Sequence, residues 1–379
     1  MPSQASNLKD LFKIREYNRA KIDSINGILG YALGRKNGTG DPAILFFVDK
    51  KIKKKWMPSK DMIPSTLETN DGLFCPTDVI NSSLTQFDSN KVVDLVTLKN
   101  TGQYGAINAR ALFGYRPLSH PSKYDLLDRL KGDAETITPG ARIAFNDSAD
   151  SPSWATLACF AKNSAGKPGF ITNQHVGQKK GNKIYFPEMA GTYVGKVIST
   201  ICSIPNKERF PGLLENSAGN YRIDASFVEL APGLSSNDSI DYRLPVLDEK
   251  NNIKMATLGE PYKLDLDTMG PIGMEVIGVG QTRSFQKGKI FAIAYCYAIK
   301  EKESADYLII GEDGDDFSDP GDSGKLIVTA DGKYQPIALL WGGWFEKRRQ
   351  GFGQENWTYA TDINVILDKL GLSILRYQG

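Results

Sequence analysis

The chain has 379 residues, of which 41% are hydrophobic and 24% are charged. This balance is typical of a globular protein with a substantial core and excludes a disordered or fibrous chain. The 46 Lys and Arg residues and the 44 Asp and Glu residues leave a net charge of +2, which gives no reason to expect nucleic acid or an anionic membrane as a partner. No apolar run approaches the roughly 18 residues of a spanning helix, so an integral membrane protein is excluded as well.

The N-terminus and the cysteines predict a location. Residues 1–10 contain no basic stretch followed by an apolar core, so no secretory signal is expected. The cysteines lie mostly in apolar contexts and lack the Cys-x-x-Cys spacing of a metal cage. They are Cys75, Cys159, Cys202 and Cys296. We therefore expect buried free thiols, a reducing cytoplasmic location, and no metal or organic cofactor.

The first 85 residues predict a small α/β domain. The apolar stripe in residues 7–25 predicts a helix, which Ser6 can cap. The apolar, β-prone segment 43–48 predicts a buried strand, and a second strand is expected around 73–80. One helix and two strands in this length of chain indicate an α/β domain over residues 1–85.

Residues 86–138 are predicted to be a connector. Residues 116–123 contain two prolines and look like an extended loop, and a short amphipathic helix is expected at 124–131. His120 lies in that loop, where a surface role is expected. The lysine-rich run 50–55 could contact phosphate, but we interpret it as a solvated loop because the overall charge is balanced.

From residue 139 to residue 379 the pattern is that of a β protein. Short apolar runs recur between Gly, Asn, Asp and Pro residues, which favours a β-sandwich or β-barrel of roughly 200 residues. The runs cover 155–160, 169–172, 193–199, 223–230, 289–297, 325–329 and 337–341. A helix is predicted to close the chain, with Asp362 as its cap and Gly371 at its end.

The strongest chemical signal is the Gly-Asp-Ser-Gly turn at 321–324, which feeds an apolar strand. Such a turn can be ordinary hairpin chemistry. It can also present a nucleophile, because glycines permit the unusual φ angles that leave a serine clear of the backbone and let a carbonyl approach. On that interpretation Ser323 Oγ attacks, and the N–H groups of Gly321 and Ser323 form the oxyanion hole.

A serine hydroxyl is a weak nucleophile, so it needs a base and a third group that fixes the tautomer of that base. His175 follows an apolar strand and is the candidate base, although taken alone it could be a hydrogen-bonded histidine at a strand end. Asp224 is the candidate third group, because a carboxylate that begins an apolar strand needs a partner. Asp238 and Asp241 are weaker candidates in a polar loop.

The order His175, Asp224, Ser323 resembles that of the trypsin/chymotrypsin-like serine proteases. The segments around these residues are similar to that family too, as is Leu-Trp-Gly-Gly at 340–343, and together the matches span residues 139–379. The resemblance implies a mainly β fold, namely a double six-stranded β-barrel with a C-terminal helix. It also implies a serine endopeptidase that works through an acyl-enzyme intermediate.

The same resemblance implies where a substrate binds. Leu340, Trp341 and Gly342 correspond to the edge that pairs with the substrate backbone and walls the specificity pocket. Phe317 and Ser318 fall near the pocket floor, in a loop rich in carboxylates. These are Asp313, Asp315, Asp316 and Asp319. A carboxylate facing inward would favour Lys or Arg at the cleaved position. One alternative is a solvated acidic loop. Another is a calcium-binding loop, but Phe317 and Ser318 interrupt the alternating ligands that such a loop needs.

The N-terminal part narrows the resemblance. Segments 30–38, 43–48, 72–79, 279–284 and 288–292 look like those of bacterial trypsin-like proteins related to the plant Narrow Leaf serine protease family. That likeness implies an intracellular form without disulfides.

Two departures from the family pattern concern the nucleophile turn. Lys325 stands where a second glycine is usual. Secreted relatives are cleaved to expose a new N-terminus, which pairs with the aspartate before the serine, but no basic cleavage site is evident here. Asp322 therefore needs another partner, and whether the oxyanion hole is preformed stays open.

These observations predict a serine endopeptidase that acts on protein or peptide substrates. A weaker hypothesis is that a partner protein, or self-association through the N-terminal domain, switches it on. One alternative is a catalytically silent trypsin-fold module that holds a peptide or partner against the Trp341 edge. Another is a cysteine hydrolase in which His175 acts with Cys159 or Cys202.

Overall fold

The computed structural model describes most of the chain. The described residues are 2–48, 51, 58–81, 86–87, 118, 120–133, 136–148, 151–215, 217–234, 239–297, 303–312, 316–344 and 357–377. The predictions for most of the lysine run and of the connector, and those for Asp238, Asp313 and Asp315, lie outside the described residues.

The N-terminal elements are two short helices and a small sheet. In chain order they are β1 (Ser3–Gln4), α1 (Leu8–Tyr17), α2 (Arg19–Asp23), β2 (Ile28–Arg35), β3 (Pro42–Val48), a 3₁₀ turn (Ser59–Asp61), β4 (Thr66–Glu68), β5 (Leu73–Asn81) and β6 (Gln86–Phe87). β3 lies between β2, which runs antiparallel to it, and β5, which runs parallel. Helix α1 packs on this sheet through the buried side chains of Leu8, Leu11 and Phe12.

The helix predicted in this region is instead two helices that meet at Asn18, and Asn7 rather than Ser6 caps the first. Asn7 Oδ1 accepts the Asp10 amide at 2.9 Å, while the amide and hydroxyl of Ser6 bind the Asp10 carboxylate. Asn18 Nδ2 donates to the Ile14 carbonyl at 2.9 Å, and such a side-chain bond to the backbone favours the end of a helix. The sequence pattern missed the break because the apolar spacing continues through it.

Seven strands form the first barrel. They are β7 (Arg142–Ser148), β8 (Ser151–Thr156), β9 (Cys159–Asn163), β10 (Pro168–Thr172), β11 (Lys183–Phe186), β12 (Thr192–Pro205) and β13 (Asn220–Leu230). β8 leads almost directly into β9, so the two act as one bent strand. β7 pairs with β8, β9 with β10, β10 with β13, β13 with β12, β12 with β11, and β11 with β7. Because the last pairing returns to the first strand, the sheet is closed.

Six strands form the second barrel. They are β16 (Glu275–Gly280), β17 (Ser284–Tyr297), β18 (Glu303–Gly311), β19 (Leu326–Thr329), β20 (Pro336–Trp344) and β21 (Trp357–Asp362); the hairpin β14 (Leu244–Leu247) and β15 (Ile253–Ala256) precedes them. β16 pairs with β17, β17 with β18, β18 with β21, β21 with β20, β20 with β19, and β19 with β16. This ring repeats the order of the first, so the prediction of a mainly β protein with two six-stranded barrels is confirmed.

The barrel interiors are apolar. Phe160, Phe170 and Val228 belong to the core of the first barrel, and burial of each such side chain contributes roughly 1.5–3 kcal/mol to stability. The second barrel departs from this rule most completely where Asp322 and Lys325 are both fully buried. Buried charges require partners, and they turn out to lie beside the candidate nucleophile.

The N-terminal sheet continues into the second barrel. β2 pairs antiparallel with β17, with Leu33 opposite Ile293 and Tyr31 opposite Cys296. β6 adds a short pairing to the end of β20. The α/β elements are therefore joined by backbone hydrogen bonds to the barrel that carries the candidate nucleophile.

The remaining helices are short. They are α3 (Pro121–Asp128), which a π-helical turn (Arg129–Asp133) extends, the single turns α4 (Gln174–Gly177) and α5 (Asn206–Arg209), and α6 (Ile363–Leu370). His120 caps α3 by accepting the Ser122 amide at 3.2 Å. The predicted C-terminal helix is confirmed: the Asp362 side chain caps it, and Gly371 ends it with a φ of 62°. β22 (Leu372–Ile374) then pairs with β9. In the described part of the chain, no helix combines the length and apolar character needed to cross a membrane.

Candidate active site

His175 lies where the first barrel turns from β10 into α4. The short helix begins immediately after Asn173, whose side chain is buried and donates from Nδ2 to the Asp224 carbonyl at 2.8 Å. This bond ties the end of β10 to β13. The His175 side chain is 9% exposed, so its ring reaches the surface while its backbone is held by the barrel.

His175 and Asp224 form a close pair. Nδ1 of the ring lies 2.9 Å from Oδ2 and 3.1 Å from Oδ1 of the carboxylate, and the His175 amide donates to Oδ1 at 3.0 Å. Asp224 is fully buried and adopts a φ of 49°, a conformation that few non-glycine residues take. A neutral ring that donates from Nδ1 carries its lone pair on Nε2, which is the tautomer a general base needs.

Arg222 is a further member of this cluster. Its guanidinium donates to Asp224 Oδ2 at 3.0 Å from one nitrogen and at 3.3 Å from another, and it lies 4.7 Å above the Trp341 ring. Burial alone would raise the pKa of Asp224, but the charge and hydrogen bonds of His175, with the charge of Arg222, hold that pKa well below its usual range. The carboxylate therefore stays ionised. Sequence reasoning missed Arg222, although its position two residues before Asp224 on a strand was an available signal.

Ser323 lies in the turn that leads into β19 of the second barrel. Gly321 and Gly324 flank it with φ angles of 96° and 91°. A Cβ atom on Gly324 would lie 2.7 Å from Thr172 Oγ1, and one on Gly321 would lie 2.6 Å from Thr282 Oγ1. Both glycines are therefore required by backbone conformation and by close packing.

Thr156 joins this turn to the first barrel. Its amide donates to the Ser323 carbonyl at 2.8 Å, and its hydroxyl donates to the Gly321 carbonyl at 3.0 Å. Thr172, three residues before His175, donates to the Thr156 carbonyl at 3.0 Å. The serine turn thus lies against the strands that carry the histidine. Among the hydrogen bonds of the described residues, none joins His175 directly to Ser323.

Some backbone amides of the turn donate hydrogen bonds to protein carbonyls and others do not. Asp322 N donates to the Asp319 carbonyl at 2.9 Å, Gly324 N to that of Leu340 at 3.0 Å, and Lys325 N to that of Asp322 at 2.8 Å. Within the described ranges, Gly321 N and Ser323 N donate to no protein acceptor. These two are the amides predicted to form the oxyanion hole, and they are available for that purpose.

Leu340, Trp341 and Gly342, which are predicted to bind the substrate backbone, lie on β20. Leu340 extends the β20 edge beside the turn, and its amide donates to the Lys325 carbonyl at 3.0 Å. Trp341 is largely buried and stacks on Tyr359 with a centroid distance of 5.4 Å, and Gly342 pairs with Tyr359 across β20 and β21. The edge is therefore stiffened from behind by aromatic packing. Its role in substrate binding stays a prediction.

Phe317 and Ser318 precede the turn. The Phe317 ring is fully buried, and a Cβ atom on Gly278 would lie 3.1 Å from it. Ser318 Oγ lies 2.7 Å from Thr358 Oγ1. Asp316 and Asp319 are buried as well, so the interpretation of a solvated acidic loop is wrong for these two residues. They were misjudged because a run of carboxylates in sequence does not reveal which of them the barrel covers.

Asp319 faces a cation. Its carboxylate lies 3.5 Å from Arg283 Nη1. Burial raises the pKa of Asp319 well above its usual range, and the charge of Arg283 opposes this only in part. The segment 279–284, which the sequence offered only as a family likeness, thus supports the serine turn.

The rival candidates fit less well. Asp241 is bound by Arg243, with Arg243 Nη2 at 2.7 Å, rather than by His175. Burial raises the pKa of the Cys159 thiol to about 12, and burial followed by the charge of Asp224 raises that of Cys202. A neutral thiol is a poor nucleophile, which disfavours a cysteine hydrolase. All four cysteines are free, as predicted, but Cys202 is exposed rather than buried.

No metal centre emerges either: in the parts of the chain that the structure describes, no three His, Cys, Asp or Glu side chains are grouped so that they could hold an ion.

Two closed barrels with the same strand order, a histidine–aspartate pair on the first and a Gly-Asp-Ser-Gly turn on the second define a protein of the trypsin-like fold. Among solved structures the chain is similar to the Nocardiopsis protease NAPase, with 19% identity, a TM-score of 0.41, and coverage of 63% of this chain and 98% of that one. It is also similar to Thermobifida fusca protease A, with 18% identity, a TM-score of 0.42, and coverage of 64% and 100%.

The chain belongs to the Narrow Leaf 1 family. The Nal1 C-terminal domain matches residues 120–378, and the NARROW LEAF 1 N-terminal domain matches residues 3–80. Protein NARROW LEAF 1 of Oryza sativa subsp. japonica is 27% identical over an alignment 397 residues long that covers 98% of this chain. The chain spans 61% of the length of that relative. The predicted relationship to this family is confirmed.

Proposed function

We propose that the protein is a serine endopeptidase with His175, Asp224 and Ser323 as its catalytic triad. The observation that carries the proposal is the pair of bonds from His175 to the buried Asp224 carboxylate, which selects the basic tautomer. The second support is Thr156, whose bonds hold the serine turn against the same barrel.

In the proposed reaction, His175 Nε2 takes the proton of Ser323 Oγ while the oxygen attacks a peptide carbonyl. Asp224 stabilises the imidazolium that forms. The amides of Gly321 and Ser323 donate to the oxyanion of the tetrahedral intermediate. His175 then gives its proton to the leaving amine, and water, activated by the same ring, hydrolyses the acyl-enzyme.

We further propose that the substrate is a protein or peptide whose backbone pairs with the edge at 340–342, with residues 317–318 near the side-chain pocket. A cytoplasmic, intracellular location is proposed because the four thiols are free and Cys202 is exposed. The predicted bacterial origin has no support from the curated relative, which is from rice.

The decisive experiment compares the full-length protein with Ser323→Ala on a fluorogenic peptide library and with a fluorophosphonate probe. We expect cleavage and labelling by the wild type, loss of labelling in Ser323→Ala, and a fall in kcat on the order of 10⁴-fold or more. Cys202→Ala is the matched control and should behave as the wild type. Equal cleavage by wild type and Ser323→Ala would refute the assignment.

One observation favours a second function, a catalytically silent module that binds a peptide or partner protein. The described residues show no hydrogen bond between His175 and Ser323, so the proton path to the base is not formed as it stands. Calorimetric binding of library peptides without turnover or labelling would support this alternative.

We also propose that a partner protein or self-association acts through the N-terminal region to complete the site. The pairing of β2 with β17 supports this route, because it links that region to the barrel of the serine turn. A specific activity that rises with protein concentration, in step with an oligomer seen by light scattering, is the expected sign of self-association. Constant specific activity across that range would count against it.

A further inference from the structure

We propose that Lys325 is a positioning residue that holds Asp322, and through it the oxyanion hole, with an ammonium group built into the chain. The inference rests on the proposed function, since an oxyanion hole matters only to a working peptidase. It assigns a purpose to the residue that departs from the family pattern.

The Asp322 carboxylate accepts three backbone amides from two segments of the chain. Oδ1 accepts the amides of Thr282 at 3.0 Å and Arg283 at 3.3 Å, and Oδ2 accepts the amide of Asp319 at 3.2 Å. Asp322 lies between Gly321 and Ser323, whose amides are the oxyanion donors. A backbone shift at Asp322, which loss of these bonds would permit, therefore moves both donors.

Lys325 supplies the charge that this carboxylate needs. Its Nζ lies 2.9 Å from Asp322 Oδ2 and donates to the Phe317 carbonyl at 3.0 Å. Both side chains of the pair are fully buried. Each charge therefore depends on the other, because no water reaches either of them.

Two glycines of the neighbouring strand make room for the lysine. A Cβ atom on Gly278 would lie 2.8 Å from Lys325 Cδ, and one on Gly280 would lie 2.5 Å from both Lys325 Cε and Asp322 Oδ1. The two glycines are two residues apart on β16, so they lie on the same face of the strand, and this face packs against the ion pair. The strand thus leaves the space that the ion pair fills, so the pair is an integral part of the barrel rather than an accidental contact.

A buried ion pair is weak evidence for stability, because desolvation offsets most of the attraction between the charges. In some proteins such a pair serves to specify a geometry, and the geometry that we assign to it here is that of the serine turn. The sequence left Asp322 without the cleaved N-terminus that secreted relatives use. Lys325 offers the same chemical group, an ammonium, from within the turn, so no cleavage is required.

The test uses the full chain and the variants Lys325→Met and Lys325→Met/Asp322→Asn. We expect Lys325→Met to lower kcat by about 10²–10³-fold, the usual effect of losing one oxyanion donor, with KM changed by less than about threefold. A peptide boronate, which mimics the tetrahedral oxyanion, should lose affinity in proportion to kcat/KM. The product peptide should bind as before.

The double variant and a distant control separate positioning from stability. The neutral Asn/Met pair leaves no unpaired charge, so we expect its Tm to rise above that of Lys325→Met while kcat stays low. Arg209→Met breaks another buried ion pair, with Asp306 at 2.7 Å and Asp362 at 3.1 Å, and should lower Tm without lowering kcat per folded molecule.

Unchanged kcat in folded Lys325→Met would overturn the proposal, and so would an equal kcat loss in Arg209→Met. Crystal structures of wild type and Lys325→Met give a readout that needs no activity, with displacement of the 319–324 backbone expected. If the wild type neither cleaves nor labels, the proposed function fails, whereas an unmoved turn in Lys325→Met overturns the positioning role itself.

Discussion

The two barrels share one strand order but contribute to the site by different means. The first barrel presents side chains: His175, just after the end of β10, bonds directly to the carboxylate of Asp224 within β13. The second barrel presents backbone: the proposed oxyanion donors, the amides of Gly321 and Ser323, lie in a tight turn that also holds the buried Asp322–Lys325 pair. The same architecture thus positions the proposed base by side-chain contacts and the proposed oxyanion hole by backbone conformation.

The difference teaches where each half is vulnerable. A side-chain pair fails when one partner loses its charge or tautomer, and the barrel around it can remain intact. A backbone turn fails when a glycine gains a Cβ or when its internal ion pair is broken. Mutations in the two barrels should therefore separate loss of chemistry from loss of structure.

The largest expected effect breaks the side-chain half. Asp224→Asn keeps the shape of the carboxylate but presents an amide to Nδ1, which favours the wrong tautomer of His175. We expect kcat to fall about 10⁴-fold, as measured for the equivalent change in a serine protease, with the fold retained. Steady-state kinetics measures kcat and circular dichroism measures retention of the fold, with Asp241→Asn as the control. A loss below tenfold would mean that this pair does not orient the base.

The next effect breaks the backbone half. Gly324→Ala forces a Cβ onto a φ of 91° and against Thr172 Oγ1, so we expect the free energy of unfolding to fall by roughly 3–5 kcal/mol. Gly166→Ala is the matched control: its φ is 76°, and nothing lies within 4 Å of the added atom. It should cost only about 1 kcal/mol. Urea unfolding of both variants decides, and equal losses would show that close packing at Gly324 is unimportant.

A smaller effect tests the bond between the barrels. Thr156→Val keeps the shape but removes the hydroxyl that donates to the Gly321 carbonyl and accepts the Gln281 amide at 3.3 Å. We expect a loss of about 1–3 kcal/mol in unfolding free energy, because two buried backbone groups lose a partner. Thr200→Val on β12 is a control away from the turn. An unchanged free energy of unfolding in Thr156→Val would mean that the bond from the Thr156 amide to the Ser323 carbonyl is enough to hold the turn.

The smallest effect concerns pH. The pKa of Asp224 is lower in the folded chain than its ordinary value of about 3.9, so its contribution to stability is complete above that pH and is lost as pH falls toward the folded value. Arg222→Gln removes one of the causes and raises the folded pKa. The acid loss of stability, which starts near the ordinary pKa in both proteins, should then be smaller and level off at a higher pH in Arg222→Gln than in the wild type, as unfolding between pH 5 and 2 would show. Coincident acid profiles would exclude a role for Arg222 in holding this charge.

Much of the fold was predictable, because strand alternation and helix caps are local signals. The strand predicted at 169–172 is β10, and the helix predicted before Gly371 is α6. The helix break at Asn18 was not predictable from the apolar stripe, since a side-chain bond to the backbone decided it. The burial of Asp316 was equally hidden, because burial depends on how strands distant in sequence close around a loop.

The amino-acid sequence alone determined which groups are available for chemistry: a base, a carboxylate and a hydroxyl in a recognisable order, with glycines around the hydroxyl. Only the tertiary structure decided how they are supported, since Asn173 reaches Asp224 and Thr156 reaches Ser323 through contacts between segments that are distant in the sequence. Lys325 shows the limit most clearly: the sequence marks it as a departure, and barrel closure turns it into the buried partner of Asp322 by excluding water from both charges.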